Sequence, residues 1–142
     1  MIGKITTFIY FWFPPLLLCA VIFAFSATPN MVISTGTNDF ILRKLVHMFE
    51  FGLLAVLFYR AISRGTRFTL RTIFLTRTFW LAFLLTLLYA ASDEYHQTFV
   101  ATRVGNPTDF FIDSVGMIIG IVLYIGVISS SWGRKWKSFL FH

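Results

Sequence analysis

Four long apolar runs divide this chain, separated by short connections that are polar or basic. They are Phe8–Ser26, Ile41–Tyr59, Thr78–Ser92 and Phe110–Ser131. Each is apolar all round, and a helix of that kind is buried in a large core or in lipid. Crossing the hydrocarbon layer takes roughly 20 residues at 1.5 Å each, within a range of about 17–25. The second and third runs are short between the charges that flank them, because Lys44 to Arg60 and Arg77 to Asp93 each enclose 15 residues. Some of those charges must lie at headgroup depth or deeper, or snorkel. The pattern predicts an all-α membrane protein, a four-span transmembrane helical bundle that occupies residues 1–142 as a single domain.

Composition narrows the class further. The chain is 57% hydrophobic, contains 18 phenylalanines and has only 13% charged residues; its mean hydropathy is +0.77. A soluble domain of this size would expose too much aromatic surface, and a soluble four-helix bundle would need a polar stripe on every helix. The single cysteine, Cys19, lies in an apolar run, which rules out an internal disulfide and argues against structural zinc. No cofactor is predicted. The net charge of +6 is of the sign that suits nucleic acid, but no recognisable nucleic-acid-binding fold accompanies the arginines.

In chain order, Met1–Thr7 carries Lys4 and leads into the first run. A basic start before an apolar core resembles a signal peptide, with Ala24 and Ser26 at the small positions before a cleavage point. The length of the run, its aromatic content and Pro14-Pro15 suit a retained span that is bent there or starts there. Pro29-Asn30 and Gly36 punctuate the first connection, and Asn38 or Asp39 is expected to cap the second helix. That helix carries Lys44, His47 and Glu50 at successive spacings of three, along one face for two turns. The connection Arg60–Arg77 holds five arginines and no acid, as expected of an interfacial, partly helical loop on anionic lipid. The third helix is expected to end near Ser92, leaving Asp93 and its neighbours in a connection. Asn106-Pro107-Thr108-Asp109 is a helix start, with Asn106 as cap and Pro107 at the first helical position. On the fourth helix Asp109, Asp113, Gly116 and Gly120 share one face, and Gly116-x-x-x-Gly120 permits close helix packing.

The charges also orient the chain. Lys4, Arg60, Arg64, Arg67, Arg71, Arg77, Arg134, Lys135 and Lys137 fall on one side of a four-span arrangement, with no acid among them. The other side holds Arg43, Lys44 and Arg103 with all six acids. An excess of Lys and Arg in short loops marks the cytoplasmic side. Both termini are therefore expected in the cytoplasm, and the acids in the extracytoplasmic half.

Three polar groups converge on that outer half: Lys44/His47/Glu50; Asp93/Glu94/His96/Gln97 with Arg103; and Asp109/Asp113. Glu50 and Asp113 should lie deepest, each about 9 Å along its helix. A lone charge at membrane depth costs at least about 2.5–3.5 kcal/mol, so such groups face a bundle interior or a wet cavity and find partners. In a purely structural role Lys44 pairs with Glu50 or Asp93, and Arg103 with Glu94 or Asp109, stapling short helices together. In a ligand-binding role Lys44 and Arg103, with Gln97, Asp109 and Asp113 around them, hold an anionic headgroup such as a phosphate. In a catalytic role His47 and His96 move protons, with Glu50, Asp93 or Glu94 as the carboxylates that orient them. Acids this close cannot all stay ionised in a low dielectric without cations, so they share protons or bind cations. A divalent metal on Asp93, Glu94, Asp109 or Asp113 would serve, although the spacings match no metal motif. Asp93-Glu94-x-His96 lacks the two histidines of the zinc-protease helix. No serine sits in a nucleophile elbow, so covalent catalysis has no visible candidate.

Taken in order, these residues resemble the VanZ-like family of small bacterial integral membrane proteins. The resemblance runs from Phe25-Ser26 and Pro29 to Gly120. It includes Lys44-x-x-His47-x-x-Glu50-Phe51, then Asp93-Glu94-x-His96-Gln97-x-Phe99, Arg103, and Asp109-x-x-x-Asp113-x-x-Gly116-x-x-x-Gly120. Where the family usually has Pro-Gly before the arginine, this chain has Ala101-Thr102, and where it often has Asn, this chain has Asp113. The resemblance implies a bacterial envelope protein in the inner membrane and, through the family's namesake, an association with low-level resistance to the glycopeptide teicoplanin. It brings no settled reaction. The expected partners are therefore membrane lipids and an anionic lipid or cell-wall-related ligand. A membrane-embedded hydrolase or transferase on a lipid-linked phosphate, and a structural or partner-binding subunit, are the alternatives. Four short helices leave little room for a transporter's alternating access.

Overall fold

The computed structural model describes residues 2–29, 37–64, 73–101 and 107–130. Within them the chain forms α1 (Ile2–Ser26), α2 (Thr37–Ser63), α3 (Arg77–Gln97) and α4 (Pro107–Ser129), with one 3-10 turn at Ile73–Leu75. No strand occurs among the described residues. Each of the four apolar runs lies in a helix, the fourth as far as Ser129. The helices outrun most of the predicted bounds because polar residues at their ends continue the helical hydrogen bonding.

Three of these differences bear on function. First, α1 runs unbroken through Pro14 and Pro15, so it does not start there, and Pro15 is fully buried. Second, α2 begins at Thr37, which puts Asn38 and Asp39 inside its first turn rather than at its cap. Third, α3 extends to Gln97, so Asp93, Glu94, His96 and Gln97 ride on a helix and not in a connection. Pro107 does open α4, as its missing N–H and fixed φ favour. Asn106, the tail from 131, and Arg67 and Arg71 lie outside the described residues.

Local chemistry sets the helix ends. The Thr76 hydroxyl caps α3 by accepting the Phe79 N–H at 3.3 Å. After α2, Arg64 takes a left-handed φ of 46°, and its N–H bonds the Arg60 carbonyl at 3.1 Å, closing the last turn.

The helices run alternately up and down. α1 and α4 flank a central α2/α3 pair and do not pack on each other, while α2 touches all three other helices. The most extensive contact joins α2 and α4, which are parallel, since Gly116 meets Met48 and Gly120 meets Gly52. There the backbones meet through glycines. A Cβ on Gly52 would lie 2.8 Å from the Gly116 carbonyl oxygen, and one on Gly120 would lie 2.5 Å from that of Gly52. The small-residue spacing on α4 thus has a complement, since Gly52 sits on the facing helix.

The core fills the space between these helices. Phe51, Leu54, Ala55, Phe58 and Tyr59 come from α2, Phe79, Ala82 and Ala90 from α3, and Met117, Ile121 and Ile125 from α4. Ile22 of α1 joins them, and the Tyr89 hydroxyl of α3 donates to the Cys19 carbonyl of α1 at 2.5 Å. Away from this core the surface is apolar: Phe49 and Phe111 are 71% and 69% exposed. Burial of that surface calls for lipid. By length and composition α1, α2 and α4 can each cross a membrane, over Ile5–Ser26, Ile41–Ser63 and Thr108–Ser129.

Candidate functional site

The buried stripes of the helices change chemistry at one end of the bundle. On α3 the buried residues are Phe79, Ala82, Thr86, Ala90, Asp93 and Gln97, spaced by three or four so that they form one line. The line is apolar or small for three turns and then polar. On α4 the same register runs from Ile125 through Ile121 and Met117 to Asp113 and Asp109, at intervals of four. Phe51 of α2 is preceded at four and seven residues by His47 and Lys44. Helix phase therefore brings residues far apart in sequence into one polar end, where α1 and α3 finish and α2 and α4 begin.

Asp93 is the best-anchored group there. It is buried, and its Oδ2 accepts from the Ser26 hydroxyl of α1 and from Gln97 Nε2, both at 2.9 Å. Gln97 lies one turn further along the same helix, the spacing at which side chains meet. Asp93 Oδ1 is buried without a hydrogen-bond partner among the described residues. Ser26 was legible as a small residue at the end of a run and as part of the family resemblance, with no partner assigned to it, yet it ties α1 to the polar end. Substituting Ser26→Ala removes one of the two donors from this carboxyl and should lower stability by about 1–3 kcal/mol. In an Asp93→Asn background the cost should shrink, which a double-mutant cycle on thermal unfolding reads directly. An unchanged Ser26→Ala midpoint would refute the bond.

The second anchor is an ion pair between Lys44 of α2 and Asp109 of α4, whose side chains are 19% and 18% exposed. The sequence pointed to Glu50 or Asp93 for Lys44. Asp109 is brought to it because α2 and α4 are parallel and clamped at Gly52, Gly116 and Gly120, which sets the two helix heads side by side. Asp109 also occupies the first turn of α4, where the positive end of the helix dipole favours an anion. Arg103, expected beside Glu94 or Asp109, lies outside the described residues.

Asp113 lies one turn below Asp109 and is 3% exposed. Its Oδ1 is buried without a hydrogen-bond partner among the described residues. It feels the fields of Asp109, Glu94 and Asp93, opposed by that of Lys44. Tyr89, one turn before Asp93, feels Asp93 and Glu50. The described members of the three polar groups thus meet at this end. Half-buried His96, in the last turn of α3, packs on Phe23 of α1 with ring centroids 4.4 Å apart. Its Nδ1 is buried without a partner among the described residues. His47 packs beside Phe51, with centroids 6.0 Å apart. Among the described residues no three His, Cys, Asp or Glu side chains are arranged to hold a metal ion.

The VanZ/LLP1 family model matches residues 7–129, a range that holds every residue just described. This chain belongs to the VanZ/LLP1 family. No curated protein and no solved structure matches it. The match covers α1 from Thr7, all of α2, α3 and α4, the glycine clamp and the polar end together. Sequence reasoning missed Gly52 as a site residue, although it is the one glycine in α2 and so the natural complement of Gly116 and Gly120.

Proposed function

We propose that this VanZ/LLP1 protein is a four-span protein of the bacterial inner membrane with both termini in the cytoplasm. Its polar end faces outward and engages the anionic group of a lipid or of a cell-wall-related molecule. The observation that carries this reading is a cation, Lys44, held at the head of an acid-rich cluster to which all four helices contribute. An ammonium has three donors, so Lys44 can take a phosphate oxygen while keeping Asp109. Topology is supported by the charges: Arg60 stacks over Tyr10 and Phe11 at 4.8 and 5.6 Å, at the end opposite the acids, and cytoplasmic loops carry the excess of Lys and Arg. α3 is the fourth span on this reading. Its 21 residues give about 31 Å at 1.5 Å each, and it lies between helices apolar enough to cross. An influence on glycopeptide susceptibility follows from interference at the outer surface.

The test is binding of purified protein to phosphorylated polyprenyl lipid. Wild type should bind, while Arg103→Ala and a Lys44→Met/Asp109→Leu double variant, which removes the cation without leaving a lone acid, should bind about tenfold less tightly or worse. Equal affinity in the double variant would sink the proposal.

A second reading is a membrane-embedded hydrolase or transferase acting on a lipid-linked phosphate. It is favoured by the inward atoms of Asp93, Asp113 and His96 that have no partner among the described residues. His96 or His47 would exchange the proton, with Asp93 or Glu94 as partner carboxylate. Release of phosphate from the bound lipid, abolished by His96→Gln with binding intact, would establish it.

A further inference from the structure

The α2/α4 seam carries a feature that the polar end does not use. On the lipid-facing side of the glycine contact the two helices leave an elongated apolar cleft of about 290 Å³. Gly52, Gly116 and Gly120 line it, and Leu45, Val56, Ile119 and Leu123 stand among its walls. It exists because glycine brings the backbones together without filling the valley beside them.

Its dimensions limit what can occupy it. From Leu45 to Val56 the cleft follows α2 for roughly 16 Å at 1.5 Å per residue, about half of a hydrocarbon layer of about 30 Å, or one leaflet. Its walls are apolar side chains and glycine backbone over that whole length, so what lies in it is apolar for one leaflet.

A charged pair, Lys44 and Asp109, stands beyond its head end, outside the lining itself. Lys44 directly precedes Leu45, and Asp109 lies two turns before Gly116 on the same face of α4. The ion pair between them therefore stands where the cleft reaches the polar end. A one-leaflet apolar channel with an ammonium at its head is complementary to an amphiphile.

We infer that the cleft seats one hydrocarbon chain of an anionic membrane lipid whose phosphate reaches Lys44. This rests on the reading of the polar end given above and deepens it: the ligand is a lipid held by head and chain, and a water-soluble cell-wall fragment is excluded. The chain lies along α2 and α4 in the leaflet on the acidic side, and its head enters beside Asp109.

The experiment uses purified full-length protein, phosphatidic acid carrying a photoreactive group in one acyl chain, and glycerol 3-phosphate as the head alone. Cross-links are expected on α2 between 45 and 56 and on α4 between 116 and 123. Ile119→Trp and Leu123→Trp fill the cleft from positions that are 44% and 62% exposed, so the fold tolerates them. Each should lower lipid retention in native mass spectrometry on the order of tenfold. Leu88→Trp, on the exposed face of α3, should leave retention unchanged, and glycerol 3-phosphate should not compete. Cross-links spread equally over α1 and α3, full retention by both tryptophan variants, or efficient competition by glycerol 3-phosphate would each overturn the inference. So would dimers linked through a cysteine placed at 119, because a second copy would then cover the cleft. If the tryptophan variants release lipid while Lys44→Met/Asp109→Leu keeps it, the chain seat stands and the anionic-head reading falls. The reverse result keeps the head reading and removes the cleft.

Discussion

Gly116→Leu is expected to cost this protein 3 kcal/mol or more, at or beyond the top of the roughly 1–3 kcal/mol typical of an overpacked site. Overpacking is usually relieved when neighbouring side chains change rotamer. Here the first atoms a Cβ would meet include the carbonyl oxygen and carbon of Met48, and backbone cannot move aside alone. The whole of α2 would have to back away from α4, giving up the most extensive contact in the bundle. Gly120→Ala should act in the same direction, because its Cβ would lie 2.5 Å from the Gly52 carbonyl oxygen and 2.9 Å from its carbon. Gly3→Ala is the contrast: nothing lies within 4 Å of a Cβ there, and alanine is the better helix former by about 1 kcal/mol at most. Thermal unfolding in detergent, followed by tryptophan fluorescence, compares the three. A Gly116→Leu midpoint equal to that of wild type would show that the helices are not clamped at this point.

Loss of Lys44 should be nearly as severe. Breaking a buried ion pair by removing one partner costs about 3–5 kcal/mol, because the other charge is left without compensation. Lys44 and Asp109 are about one-fifth exposed, which puts Lys44→Ala near the lower bound, about 3 kcal/mol. The effect reaches past Asp109, since Lys44 supplies the field that opposes the surrounding acids at Asp113. Replacing both partners together, as Lys44→Met/Asp109→Leu, should recover stability to within about 1 kcal/mol of wild type, since apolar residues of similar volume often substitute for a buried pair without loss. Strictly additive costs in the double variant would mean that the two residues do not act as a pair.

Much of the polar end was legible before any coordinates, and the reason is phase. Lys44 and His47 precede Phe51 at helical intervals, and Asp109 and Asp113 precede Met117 in the same way, so any helix that buries its apolar stripe carries these groups inward. Asp93 and Gln97 obey the same rule, but only once α3 is known to continue past Ser92. Polar residues at the end of an apolar run look like the start of a loop. Here they stay helical because their side chains find partners inside the bundle, as the bonds from Ser26 and Gln97 to Asp93 show.

Ion-pair partners were less legible. Lys44 has several acids within reach along the sequence, and charge alone does not rank them. The choice of Asp109 follows from the parallel packing of α2 and α4, which the pairing of Gly52 with Gly116 and Gly120 sets. Ser26 was obscured in a similar way, because one hydroxyl at the end of an apolar helix has no signature until its neighbour is known.

The sequence by itself determined that this is an all-helical protein with an apolar exterior, and that its acids gather away from its basic connections. Those properties depend on hydropathy, helix periodicity and charge, which are local and additive along the chain. Only the tertiary structure decided that α2 and α4 clamp through glycine, that Lys44 meets Asp109, and that Ser26 reaches Asp93. Each of these depends on which helices are neighbours and how closely their backbones approach, and that is fixed by packing between segments far apart in sequence.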